Sequence, residues 1–239
     1  MSYPYEKVIM FRDPISLQPV DILSGIDALP KEDHIRSNHS KVKFSKDLLP
    51  KIAQMIVEIP EGHDMKYEIS KHPLKKGTIQ IDRNKDGSLR ILDIPTPAHY
   101  GAVPNTKMSG DFRGYKGDDD PLDIFDIAPK SHSERHIGDM YPVVVLGAIP
   151  FVDRGEADFK LLSAPLSFPP VASGDLETLA SLKRMDPSLI PKLKQWLTSY
   201  KKSQYGDSYG SFSGQDLDEK EALQLIKDTL ISKGTGKRK

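Results

Sequence analysis

Four aspartates fall within the seven residues 117–123, and an apolar run, residues 122–127, begins before they end. Carboxylates this close repel one another and raise each other's pKa values unless a cation or a basic partner stands among them. In extended backbone Asp118 and Asp120 point the same way, and Pro121 biases Asp120 toward that conformation. Asp123 sits at the mouth of the apolar run, so three carboxylates converge where a polar loop enters a strand. Oxygen donors of this kind suit Mg²⁺ or Mn²⁺ better than zinc. The alternative is a solvated acidic loop, the usual fate of an Asp-rich run.

Composition narrows the partners. The 239 residues hold 34 Lys plus Arg against 34 Asp plus Glu, and a net charge of zero argues against a general binder of nucleic acid or anionic membrane. There is no cysteine, which removes disulfides, thiolate chemistry and Cys-ligated metals. No apolar run approaches the ~20 residues that span a bilayer, and residues 1–5 lack the start of a signal sequence. The simplest reading is a cytoplasmic protein of one domain, residues 1–239. Residues 1–45, turn-rich with Pro4, Pro14, Pro19 and Pro30, read as an extension wrapped on it. The basic tail 234–239 reads as disordered.

Short strands begin at Gln54. Met55, Val57 and Ile59 alternate with Ile56 and Glu58, and Pro60 closes the run. In residues 64–70, Met65, Tyr67 and Ile69 take one face while Lys66, Glu68 and Ser70 take the other. Residues 82–93 nearly fit a calcium-binding loop of the EF-hand kind, with Gly87 at the sixth place and Asp93 instead of Glu at the twelfth. Such a loop needs helices on both sides. The flanks here are β-branched and alternating, so residues 84–87 read as a hairpin turn. A buried strand is expected over 141–153, and the chain then turns back so that Asp158 and Lys160 share a face opposite Phe159 and Leu161.

Helices are expected only in the last third. Leu189, Leu193, Trp196, Leu197 and Tyr200 make one stripe over 187–201, which puts Tyr200 on the buried side. A last helix over about 217–233 gathers Ala222, Leu225, Ile226, Thr229 and Leu230 on one face. Several strands followed by helices predict a mainly β, α+β architecture: a closed antiparallel barrel with C-terminal helices packed outside. If that barrel brings Lys66 and Glu68 together with Asp118, Asp120, Asp123, Asp153, Asp158 and Lys160, the pocket has a carboxylate excess that divalent ions would balance. Two ions ~4 Å apart share a water and lower its pKa toward ~7, chemistry suited to phosphoryl displacement.

The segment 118–123, Asp-Asp-Asp-Pro-Leu-Asp, resembles the Asp-x-Asp-Pro-hydrophobic-Asp signature of the soluble family I inorganic pyrophosphatases. Residues 57–60, 65–69, 81–83, 99–104, 153–160 and 200–201 follow in that family's order, over roughly residues 50–232. The resemblance implies an OB-like five-stranded barrel and Mg²⁺-dependent hydrolysis of pyrophosphate to two phosphates, with several Mg²⁺ per site, Mn²⁺ as a substitute and Ca²⁺ as an inhibitor. It implies Asp118, Asp123, Asp158, Asp153 and Glu68 as metal ligands, and Asp120 as general base. Lys66, Arg83, Tyr200 and Lys201 would contact phosphate, while Lys160, Tyr100 and Glu58 would order the site. It also implies a homo-oligomer. Many members carry tyrosine four residues before the one matching Tyr100; here that residue is Thr96.

Each residue also has a plainer reading. Lys66 and Glu68 would be a surface cross-strand pair, Tyr200 a core residue, Arg83 a turn arginine, Asp153 the start of a turn, and Tyr100 a packing residue. Asp119, Asp126 and the seven histidines receive no role. Two other functional classes compete. One is a calcium-binding module using 82–93. The other is an oligonucleotide-binding barrel, which the acidic strand faces oppose.

Overall fold

The structure, a computed structural model, describes residues 9–10, 26–33, 35, 45–70 and 78–231. Thirteen strands are described: β1 (Ile9–Met10), β2 (Ile52–Ile59), β3 (Tyr67–Ile69), β4 (Thr78–Ile81), β5 (His99–Ala102), β6 (Asp111–Phe112), β7 (Tyr115–Lys116), β8 (Asp123–Asp126), β9 (Met140–Ile149), β10 (Phe151–Asp153), β11 (Glu156–Ala157), β12 (Lys160–Pro165) and β13 (Gly210–Phe212). The described helices are α1 (Pro169–Ala172), α2 (Leu179–Met185), α3 (Leu189–Leu197), α4 (Lys202–Tyr205) and α5 (Glu219–Thr229). A 3₁₀ helix, Lys46–Lys51, precedes β2.

Five strands close a barrel in the order β12-β8-β5-β2-β9. The closure and the strand number match the expectation. One seam departs from a wholly antiparallel barrel: β12 runs parallel to β8, with Lys160 opposite Asp123 and Leu162 opposite Phe125. A parallel neighbour needs a long crossover, and β9, β10 and β11 supply it.

Barrel strands that are apolar on both faces feed two cores. From β9, Val144 and Leu146 pack with α2 and α3 residues such as Leu182, Leu193 and Trp196. The alternate side chains Val143 and Val145 pack with Ala222, Leu225 and Ile226 of α5. Each aliphatic side chain fully buried in this way contributes about 1.5–3 kcal/mol. Ala28 and Ile35 are buried against these cores, and the carbonyl of Ala28 accepts from Gln54 N at 2.8 Å, which brings this part of the 1–45 extension onto the barrel. Of the extension, residues 9–10, 26–33, 35 and 45 are described; its other residues and the tail 234–239 lie outside the described residues.

The calcium-loop look-alike is a hairpin. Arg83 bridges Leu89 and Met65 bridges Ile91, while Asn84 N donates to Ser88 O and Gly87 N to Asn84 O, both at 2.9 Å. Its acids diverge: Asp82 binds Arg90, Asp86 binds Ser88 and Asp93 binds Ser203. The stripe over 187–201 forms α3 only to Leu197, and a turn through Tyr200 separates it from α4. The last helix begins at Glu219 because Asp218 and Glu221 make a capping box. Leu230 lies past its end, bridged to Thr106 and 38% exposed instead of buried. Among the described residues no helix is long and apolar enough to cross a membrane.

One glycine fixes how closely β2 and β5 approach. A Cβ on Gly101 would stand 1.9 Å from the carbonyl oxygen of Ile56, and that oxygen belongs to backbone that cannot rotate away. Gly101→Ala is therefore expected to lower stability by about 3 kcal/mol, read as a lower urea midpoint at constant m value.

Candidate active site

The barrel seam builds the acidic half of a cleft. Lys160 begins β12 and Asp123 begins β8, so their pairing sets the lysine Nζ against the Asp123 carboxylate. The same Nζ reaches Asp158 Oδ1 at 2.5 Å and stands 5.6 Å from the centre of the Tyr100 ring. Glu58, where the β2–β5 register shifts, accepts from Ile69 N at 2.7 Å.

The acidic run 118–120 is a tight turn and not the extended segment expected. Asp119 is left-handed at φ 63° and Asp120 N donates to Asp118 Oδ1 at 3.0 Å. Asp118 and Asp120 still both line the cleft, whereas Asp119 pairs with Lys107 at 3.1 Å. Asp126 faces elsewhere, accepting from Tyr141 Oη at 2.8 Å.

The basic half comes from outside the barrel. Lys66 Nζ binds Glu68 at 2.9 Å and Asp82 at 3.4 Å, and Asp82 also holds Arg90 Nη1 at 2.6 Å. Lys201 Nζ binds Asp153 at 2.7 Å. Tyr200 stacks on Trp196, ring centres 4.2 Å apart and planes 9° from parallel, and lines the cleft as well.

These side chains enclose about 170 Å³. Twelve of the thirteen residues expected at the site line it: Asp118, Asp120, Asp123, Asp153, Asp158, Glu58, Glu68, Lys66, Lys160, Lys201, Tyr100 and Tyr200. Arg83 is not brought there. It is exposed, and its Nη1 donates back to Gly87 O at 2.8 Å across the hairpin turn. Arg90 lines the cleft instead, and so do Arg154 and Glu156, all three missed from the sequence. For Arg90 a signal existed: in a hairpin turning at 84–88, Arg90 falls opposite Asp82. Thr96 is buried away from the lining, its hydroxyl donating to Ala98 O at 2.7 Å.

Eight carboxylates face five cations in this lining, and burial together with these neighbours moves their pKa values. Burial, with Asp123 nearby, pushes the Glu58 carboxyl up to about 8. Burial and then Asp158 push Asp118 up to about 8. Burial also raises Asp123, against the pull of Lys160. Burial acts the same way on Asp158, but Lys160 and Lys201 overcome it and hold that carboxyl below its ordinary range. Burial works against the Lys160 ammonium, yet Asp123 and Asp158 keep it charged.

Among the described residues no three acidic or histidine side chains are gathered as a ready metal ligand set, because the Lys160 ammonium stands between Asp123 and Asp158. The donor chemistry nevertheless fits hard divalent cations: the donors are carboxylate oxygens, in excess over bases, and two of them are raised to about 8 by burial and then by a neighbouring carboxylate.

An acid whose folded pKa lies above its unfolded value favours the folded state most when protonated, so its contribution falls as pH rises from the unfolded to the folded pKa. For Glu58 that window runs from 4.5 to about 8. In chelator, wild type is expected to lose more melting temperature than Glu58→Gln between pH 5 and pH 8. Parallel curves for the two proteins would contradict the raised pKa.

A family model described as inorganic pyrophosphatase matches residues 55–232. The inorganic pyrophosphatase of Dictyostelium discoideum is 30% identical over 187 residues, which cover 74% of this chain and 63% of that protein. The mitochondrial inorganic pyrophosphatase of Saccharomyces cerevisiae is 31% identical over 164 residues, 63% of this chain and 51% of that protein. The chain thus spans less than two thirds of the length of these curated relatives. A solved type I inorganic pyrophosphatase from Toxoplasma gondii superposes with TM-score 0.74 at 27% identity, covering 90% of this chain and 87% of its own. A truncated Trypanosoma cruzi vacuolar soluble pyrophosphatase, solved in complex with PPi, shares the fold at TM-score 0.75 and 23% identity, over 96% and 91% of the two chains. By the extent of the family match and the order of its motifs, the chain belongs to the inorganic pyrophosphatase family.

Proposed function

We propose that this chain hydrolyses inorganic pyrophosphate to two orthophosphates with divalent cations, preferring Mg²⁺, accepting Mn²⁺ and inhibited by Ca²⁺. One observation carries the reading: aspartates from the 118–120 turn, β8, β10 and the residue pair before β12 open on one cleft with four cationic side chains from the other wall, in a chain of this family. Asp118, Asp123 and Asp158 would hold the first cations, with Asp153 and Glu68 for those added with substrate. Bound there, divalent ions supply the charge that offsets pyrophosphate and acidifies water.

The chain's own groups do the rest. Asp120 accepts the proton of the attacking water. Lys66, Lys201, Tyr200 and, in place of Arg83, Arg90 bind phosphate oxygens, the guanidinium offering a planar pair of donors. Lys160 stays charged and fixes Asp158 in its ionised form. Tyr100 and Glu58 close the floor of the cleft against water. A homo-oligomer in the cytoplasm belongs to the same proposal.

Phosphate release from pyrophosphate with Mg²⁺, with Ca²⁺ and with chelator tests this reading. Mg²⁺-dependent release, blocked by Ca²⁺, is expected, and Asp120→Asn should lower kcat by about 10²–10⁴ while leaving the melting temperature within a few degrees. No release from folded protein with any metal would sink the hydrolase reading.

A further inference from the structure

Arg154 stands at the cleft mouth in a backbone conformation that its side-chain type does not favour. It and Gly155 join β10 to β11, with φ 51° and 88°, the two left-handed positions of a tight hairpin turn in which Asn-Gly is the preferred pair. Arginine there loses what asparagine would gain, so the turn does not call for it. The turn is anchored regardless of side chain, since Arg154 N donates to Tyr209 O at 2.7 Å.

The side chain is held ready. Its Nε donates to Asp153 Oδ1 at 3.1 Å, and the guanidinium lies 4.5 Å over the Tyr205 ring. Lys201 takes the other oxygen of the same carboxylate at 2.7 Å. Two cations therefore flank one anionic group at the rim, and Arg90 lines the same cleft. A guanidinium has five donors, of which Nε is engaged by Asp153. The side chain is 52% exposed while lining the cleft, so donors remain for a ligand entering from solvent. The contacts with Asp153 and the Tyr205 ring restrict the guanidinium, which lowers the entropy lost when an oxyanion binds.

We propose that Arg154 anchors the outer phosphate of the substrate, the one nearer the cleft mouth, and so sets affinity for substrate and for phosphate product. The proposal rests on the pyrophosphatase reading and deepens it. Arg154 touches the terminal oxygens of the departing phosphate, which already carry their charge in the bound substrate, while the charge of the broken bond falls on the bridging oxygen. Most of the Arg154 contribution therefore belongs to binding of ground and transition states alike and appears mainly in KM.

The test compares wild type, Arg154→Asn and Arg154→Lys by steady-state hydrolysis of pyrophosphate and by calorimetric titration with inorganic phosphate, both with Mg²⁺. Asparagine suits the left-handed turn, so the fold is kept and the melting temperature should hold or rise. Arg154→Asn is expected to raise KM about tenfold and to weaken phosphate binding similarly, with kcat within about twofold. Lysine keeps the charge but not the stacked fork and should recover part of the loss. KM and phosphate affinity within twofold of wild type in Arg154→Asn would overturn the anchor, as would a fall in kcat at constant KM, which would mean that Arg154 acts by positioning Asp153. Arg154-dependent phosphate binding by a protein that releases no phosphate from pyrophosphate would remove the hydrolase reading and keep the anchor.

Discussion

The buried ammonium of Lys160 is the constraint on which the rest depends. It is 1% exposed, and taking such a charge out of water costs several kcal/mol unless partners replace the lost hydration. Two carboxylates do so, Asp123 across the parallel seam and Asp158 two residues earlier in the chain, just before β12. The faces of Tyr100 and Phe151, at 5.6 and 6.0 Å, add weaker attraction. This arrangement exists only in one register. A slip of β12 by one residue would turn Lys160 to the other core and leave the Asp123 carboxylate buried without its ammonium partner. Barrel closure and site assembly are thus a single structural event.

The barrel strands carry Glu58, Asp123 and Lys160 while the other charges of the lining stand outside them, so something must hold the two groups together. Lys66, Asp82 and Arg90 sit side by side on the hairpin: Asp82 N donates to Lys66 O, Lys66 N to Arg90 O and Arg90 N to Asp82 O, all within 3.0 Å. The hairpin is tied to the helical side through Asp93, whose N donates to Tyr200 O at 3.0 Å and whose carboxylate accepts from Ser203 N at 2.7 Å. Gln204 reaches Asn84 at 3.0 Å. Trp196 completes the brace, donating from Nε1 to Ile94 O while stacking on Tyr200. The calcium-loop look-alike therefore has a structural use for its acids that its spacing alone could not reveal.

What the sequence made legible and what it hid divide along range. The strands of residues 52–59 and 67–69, the hairpin turn and the apolar stripe of α3 follow from local alternation and turn chemistry, although β2 starts two residues before Gln54, β3 is shorter than the 64–70 run and α3 ends at Leu197. The parallel seam joins segments 37 residues apart at Asp123 and Lys160, and no local pattern reports it. Arg83 and Arg90 differ by one strand crossing, so choosing between them needed pairing arithmetic across the turn. Tyr200 had two readings, phosphate contact or core residue, and its position serves either: one ring face packs on Trp196 while the residue lines the cleft. The 118–120 turn delivers Asp118 and Asp120 to one side by a left-handed Asp119 and an Asp118 side-chain bond, so the expected convergence arises from a different backbone.

A lining of eight carboxylates and five cations has a cost that the rest of the molecule must absorb. Glu58 and Asp118 relieve part of it by keeping protons, and the bases relieve part by pairing, Lys201 with Asp153 and Lys66 with Glu68 and Asp82. Each of these pairings also occupies a group that pyrophosphate chemistry would need: a carboxylate that could face a cation, or an ammonium that could face phosphate. The arrangement is therefore one of internal counter-ions, in which acids and bases hold one another in position. Under the proposed function, exchange of these partners for cations and phosphate would change the net electrostatic energy less than filling an empty charged site would, because neither set of groups starts fully solvated. Two buried cores on either side of the barrel wall supply the rigidity that keeps Glu58, Tyr100, Asp123 and Lys160, the site residues on barrel strands, at fixed distances.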